Sequence, residues 1–157
     1  MKPKIGMADD DRQAVVQILN TLLSDEYVLY TKTRNYHWNV VGPHFNHLHK
    51  FFETLYTEGD EVIDAVAERA RALGGRAFGS LAEFTKSARL TEDPGTVPSA
   101  TEMLTNLLAD HEALVTTLRA DVDTVTGERA DTGTADFLTG LLEQHEKTAW
   151  MLRAHLE

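Results

Sequence analysis

Apolar positions recur along nearly the whole chain with the period of an α-helix, about 3.6 residues, and strand-like alternation is nearly absent. Val15, Leu19, Leu22, Tyr30 and His37 fall along one side of a first helix. That helix is predicted to begin at Asp10 or Asp11, acting as N-cap, and to run to about Val40. Gly42 and Pro43 end it, because proline cannot continue a helix and biases the residue before it away from helical backbone angles. A second helix follows at once, from Pro43 or His44 to Leu73, with Gly74 and Gly75 as its stop. The pattern then loosens as far as Pro98. Within that stretch Ser80 and Glu83 have capping-box spacing just before Phe84, which predicts a short helix over residues 80–87. Ser99 and Glu102 repeat the spacing and open a third long helix to about Thr126. Its apolar face is made of Leu104, Leu107, Leu108, Leu114, Val115, Leu118 and Val122. After a turn over residues 127–133, a last helix runs from about Thr134 to Leu156. Four long helices with a longer middle connection describe an all-α four-helix bundle, with a short extra helix between the second and third long ones. The expected organisation is one domain over residues 12–157 behind a short tail of residues 1–11, with no internal repeat.

Length and charge narrow what such a bundle does. The 157 residues suffice for one domain with a real core. No apolar run reaches the ~18 residues of a membrane span. Asp9, Asp10 and Asp11 stand where a signal peptide would need apolar residues. The absence of cysteine excludes disulfides and thiolate metal sites and fits a reducing cytoplasm. A net charge of −10 argues against nucleic-acid binding through the folded surface, which needs clustered lysine and arginine. An acidic surface suits cations, although the same charge also serves simply to keep a protein soluble.

Candidate chemistry sits on the first two helices. His37, followed by Trp38, and then His49, Asp64 and Glu68 are nitrogen and oxygen donors suited to iron, zinc or manganese. On a helical wheel Glu53, Asp60, Asp64 and Glu68 lie within about 100° of His49, beside the apolar stripe of Phe45, Leu48, Phe52, Leu55, Val62, Ile63 and Val66 rather than on it. Asp64 and Glu68 are one turn apart and can share an ion. His49 and Asp64 are separated by about 22 Å of helix and cannot do so within one helix. The simplest closure is a second copy packed antiparallel about a two-fold axis, with His49 of one subunit facing Asp64 and Glu68 of the other. A partner from another helix of the same chain satisfies the geometry as well. A lone histidine at the position of His37 is ordinarily a satisfied core residue, and Trp38 is most simply core filling. In company with His49 they also read as a ligand and as an oxidisable neighbour that absorbs radicals made at a metal. No Glu-x-x-His occurs in the chain, so the in-bundle di-iron centre built from such motifs is not expected. His44, His47, His111, His145 and His155 carry no assignment, and most of them are expected at the surface or the edge of the core.

The run Tyr36-His37-Trp38-Asn39-Val40-Val41-Gly42-Pro43-His44-Phe45, then Leu48-His49, Phe52-Glu53, Asp64 and Ala67-Glu68-Arg69, resembles the signature of the Dps mini-ferritins. The short middle helix and the closing segment from Thr134 through Trp150 to Leu156 resemble the family as well. The resemblance implies a ferritin-like bundle assembled into a hollow dodecamer. In the family, ferroxidase sites lie at two-fold interfaces, with two histidines from one subunit and the aspartate and glutamate from its partner. His37, His49, Asp64 and Glu68 occupy those positions, and Glu53 matches a nearby acidic ligand position. Fe2+ would be oxidised there, preferentially by hydrogen peroxide rather than oxygen, and stored as ferric mineral, which removes both reagents of hydroxyl-radical chemistry. Asp136 and Asp131 stand where the family places carboxylates of iron-entry pores; stabilisation of a helix N-terminus by negative charge is the other reading of both. The ends depart from the DNA-binding members, whose tails are mobile and lysine-rich: here only Lys2 and Lys4 precede the aspartates, and the chain stops at Glu157. Twelve copies would carry a formal charge of about −120, so DNA binding is expected to be weak or absent. The alternative is a nucleoid-associated, DNA-compacting stress protein with little ferroxidase activity.

Overall fold

The computed structural model describes residues 3–157; Met1 and Lys2, part of the expected tail, lie outside the described residues. It contains α1 (Asp9–Asn39), α2 (Phe45–Ala72), α3 (Leu81–Ser87), α4 (Ala100–Gly127) and α5 (Thr132–Ala154), with no strand among the described residues. Short connections make α1 and α2 one antiparallel hairpin and α4 and α5 another. The two hairpins close on a common core that includes Leu19, Leu22, Tyr36, Phe52, Met103, Leu114, Leu118 and Leu138.

Local chemistry sets the boundaries. α1 begins at Asp9, inside the segment read as tail, and its N-cap is Ala8 with no side-chain cap, not Asp10 or Asp11. The three aspartates instead occupy the first turn, where negative charge offsets the positive end of the helix dipole. Arg12 is buried behind them, donating to Leu73 O at 2.8 Å and pairing with Asp9 at 3.0 Å, and this fixes the start. At the end of α2, Gly74 takes φ +77° while its N–H bonds Arg71 O, and Gly75 N–H reaches Ala70 O. This left-handed stop favours glycine. A Cβ on Gly75 would collide with Val16, so the second glycine is required by close approach rather than by angle. Ser80 caps α3, and Ser99 and Glu102 form a reciprocal capping box on α4.

Polar residues buried on α1 hold the long connection, residues 73–99, against the bundle. Asn20 donates to Arg76 O and accepts from Phe78 N–H. Asp25, fully buried, accepts from the Arg89 and Leu90 backbone and from Arg89 Nε. The buried hydroxyl of Tyr36 is bonded to Asp93 and Asn106. Residues 41–44 of the turn between α1 and α2 are exposed, and the candidate ligands begin beside them.

Candidate metal centre

His37 lies in the last turn of α1 and His49 in the first turns of α2, so the tight turn between the helices brings the imidazoles face to face. Their ring centroids are 3.8 Å apart with planes inclined by 22°. Each Nδ1 lies against the other residue's backbone carbonyl: His37 Nδ1 to His49 O at 2.7 Å, and His49 Nδ1 to His37 O at 2.8 Å. A carbonyl only accepts, so each Nδ1 carries the proton. In the neutral ring this leaves the Nε2 lone pair free, the form in which imidazole binds a metal. Tyr56 packs edge-on against His37 at 5.1 Å, and Phe45 lies 5.1 Å from the His49 ring. His37 is buried and His49 half-buried, which restrains both rotamers.

The carboxylates are elsewhere. Glu53, Asp64 and Glu68 are exposed on the same unbroken α2 helix. That continuity upholds the separation of about 22 Å between His49 and Asp64 and extends it to about 28 Å for Glu68. Among the described residues, no three His, Asp or Glu side chains of one chain converge on a point that would hold an ion.

Trp38 is not core filling: it is 64% exposed, because one residue after His37 the helix has turned by about 100°, off the buried face. Phe45, assigned to the packing stripe of α2, is 46% exposed, and Val41 in the turn 73%. The Arg34 guanidinium lies over the Trp38 and Tyr56 rings, at 5.2 and 4.6 Å from their centroids. The two imidazoles are thus bordered by an apolar, aromatic patch.

Asp131 is the N-cap of α5. It accepts from Thr134 N–H at 3.1 Å and Thr134 Oγ1 at 2.5 Å, and pairs with Arg69 of α2 at 3.3 Å. Asp136, one turn later, is exposed.

His111 and His145, expected near the surface, are buried in the bundle. His145 Nε2 lies 2.9 Å from Glu26 Oε1, and its Nδ1 lies 2.8 Å from His111 Nδ1. The three form a row across α1, α5 and α4 beside a cavity of about 30 Å³ that Glu58 and Gln144 also line. Burial disfavours the charged form of His145, but the charge of Glu26 and the hydrogen bond to it prevail and raise its pKa. His111 is held well below its ordinary value by burial and by the neighbouring His145. A cationic His145 donating both to Glu26 and to a neutral His111 satisfies every contact. The signal was present in the sequence: His111 continues the spacing of Leu104, Leu107, Leu114 and Leu118, and His145 that of Leu138, Leu141 and Leu152.

The ferritin-like domain family matches residues 16–157, nearly the whole chain. A crystal structure of a Dps protein from Bacillus brevis has a TM-score of 0.91 and 39% identity, over 96% of this chain and all of that one. The chain is a ferritin-like protein of the Dps family. Another Dps structure, from Vibrio cholerae, described as a member of a broad superfamily of ferritin-like diiron-carboxylate proteins, has a TM-score of 0.93 and 32% identity, covering 100% of this chain and 98% of that one. A low temperature-induced protein of Nostoc is 52% identical over 153 residues, 98% of this chain and 86% of the relative. A DNA protection during starvation protein of Brevibacillus brevis is 41% identical, covering 93% of this chain and 97% of the relative. The Dps-family bundle is thereby placed as the resemblance of residues 36–69 implied.

Proposed function

We propose that this Dps-family chain is a ferroxidase and iron-storage subunit whose di-iron sites close only between subunits. One observation carries the reading: the His37–His49 pair presents two metal-ready Nε2 atoms, while Asp64 and Glu68 stand about 22 and about 28 Å further along α2 than His49. Each group is half of a ligand set. Antiparallel packing of two α2 helices about a two-fold axis brings the imidazoles of one subunit to the carboxylates of the other, making two equivalent sites. The exposed Trp38, Val41 and Phe45 beside the imidazoles are the kind of apolar surface that such a partner covers.

The donors suit the chemistry. Carboxylate oxygens stabilise Fe3+ over Fe2+ and so favour electron loss, while two imidazoles hold the incoming Fe2+. Hydrogen peroxide takes two electrons, one from each of two Fe2+, and with two protons leaves as two waters. Glu53, exposed one turn after His49, is positioned as a further acidic ligand. Trp38, at the rim, serves as an oxidisable neighbour. The ferric product collects in the cavity of a dodecamer, with Asp136 and, less directly, Asp131 at its entry pores. The setting is the cytoplasm. No helix among the described residues is long and apolar enough to cross a membrane.

The test is Fe2+ oxidation by peroxide, followed by ferric absorbance. A His37→Ala, Asp64→Ala double variant, assembled as the wild type is, should be slower by about tenfold or more, since even indirect support of metal ligands is worth that much. Equal rates would falsify the reading. Several relatives are named for DNA protection during starvation. The net charge of −10 per chain disfavours direct binding as the means of protection here.

A further inference from the structure

His47 and His155 are 108 residues apart in sequence, yet their Nε2 atoms lie 3.1 Å from one another at the surface. His155 is fixed on two sides. Its Nδ1 donates to Met151 O at 2.8 Å, and its ring is stacked on Phe51 with centroids 4.6 Å apart and planes 18° apart. Because Nδ1 carries the proton, Nε2 of the neutral ring is a lone-pair donor aimed at His47. The His47 ring faces it at 5.4 Å, inclined by 32°. Both residues are exposed, so hydrated ions reach them.

We propose that His47 and His155 form a second metal site, separate from the iron centre, for a borderline divalent cation of the Zn2+ class. Zinc binds imidazole nitrogen at about 2.0–2.1 Å, which puts two ligands of one tetrahedral ion about 3.3 Å apart. The observed 3.1 Å is close to that spacing, and with centroids 5.4 Å apart the nitrogens face each other head-on, so each exposed ring turns by roughly 35° to aim at a shared tetrahedral ion beside the N–N line. In the free protein, a proton on His47 Nε2 bridges the two nitrogens. The ion takes its place, and His47 carries its own proton on Nδ1 instead, toward solvent. Water fills the remaining positions. Imidazole without carboxylate suits Zn2+, Cu2+ and Ni2+ rather than Fe3+, so this site and the iron centre select different ions. His47 precedes His49 by two residues, a rotation of about 200° on α2, which points the two histidines to opposite sides of the helix.

The site is tested by equilibrium dialysis of the tag-free assembled protein against Zn2+, with bound metal counted per chain. Wild type should bind one more Zn2+ per chain than His47→Gln or His155→Gln, and both variants should oxidise Fe2+ at the wild-type rate. An unchanged count in either variant overturns the site, as does a loss accompanied by slowed iron oxidation. A second measurement needs no variant. Zn2+ should slow carbethoxylation of His47 and His155 several-fold while leaving the exposed His44 unaffected, and equal slowing of all three also overturns the proposal.

Discussion

His37 and His49 owe their free Nε2 atoms to two backbone carbonyls, each of which fixes the tautomer of the other residue's ring. His111 and His145, with ring centroids 5.0 Å apart, are arranged to opposite effect. Both ring nitrogens of His145 point to protein partners, so the row with Glu26 serves the interior of the bundle. Its two histidines give stability opposite dependences on pH. The pKa of His145 is raised, so its contribution is present below the unfolded value of about 6.5 and is lost as pH rises through the folded value. His111 is depressed, so its contribution is present above about 6.5 and fades as pH falls and the unfolded chain takes up the proton that the folded one refuses. The stability advantage of wild type over His111→Gln should therefore shrink as pH is lowered from 7.5 through about 6.5 to 5.5. Chemical denaturation at each pH measures it, and an advantage that grows toward acid would reverse the assignment of charge within the row.

Helix ends divide the two aspartates that share a pore expectation. Asp131 caps α5 and ties it to α2 through Arg69, with protein partners on both carboxylate oxygens and a side chain only 10% exposed. Asp131→Ala should lower stability by about 1–2 kcal/mol, the value of a cap with an added charged hydrogen bond. Asp136 is exposed, and Asp136→Ala should change stability by less than about 0.5 kcal/mol. If Asp136 lines an iron route, that variant slows mineral growth while leaving the melting point in place. Loss of stability without loss of iron uptake would reverse its role. Most element boundaries were legible because caps and glycine stops act over a few residues: Ser80, Ser99 and Gly74 each stand where the sequence placed them. The start of α1 was not, because Arg12 anchors it to Leu73, a residue distant in sequence.

In the assembled protein, the half-site argument yields a result that neither chain produces alone. A His37→Ala chain lacks the imidazole half, and an Asp64→Ala chain the carboxylate half. Dissociated, mixed in equal amounts and reassembled, they should recover about a quarter of wild-type ferrous oxidation, since half of the two-fold pairs are mixed and each mixed pair has one intact site of two. Sites closed within one chain would recover nothing. If the proposed dodecamer forms, its formal charge of about −120 should leave duplex DNA without a gel shift at ~150 mM salt. A clear shift by tag-free protein would require a cation bridge or a basic tail.

From its sequence this protein could be read as an all-helical bundle with His37, His49, Asp64 and Glu68 as candidate ligands, because helical period, caps and rise per residue are local and regular. The same rise excluded a single-helix site for His49 and Asp64 before any coordinate was known. Tertiary structure alone decided which nitrogens are free, that Trp38 faces solvent, that His145 meets both Glu26 and His111, and that His47 meets His155. Each of these depends on how helices distant in sequence are rotated and packed against one another. A periodicity assigns a residue to a face of its own helix, but the partner that the face meets is set by the sum of all the contacts in the bundle.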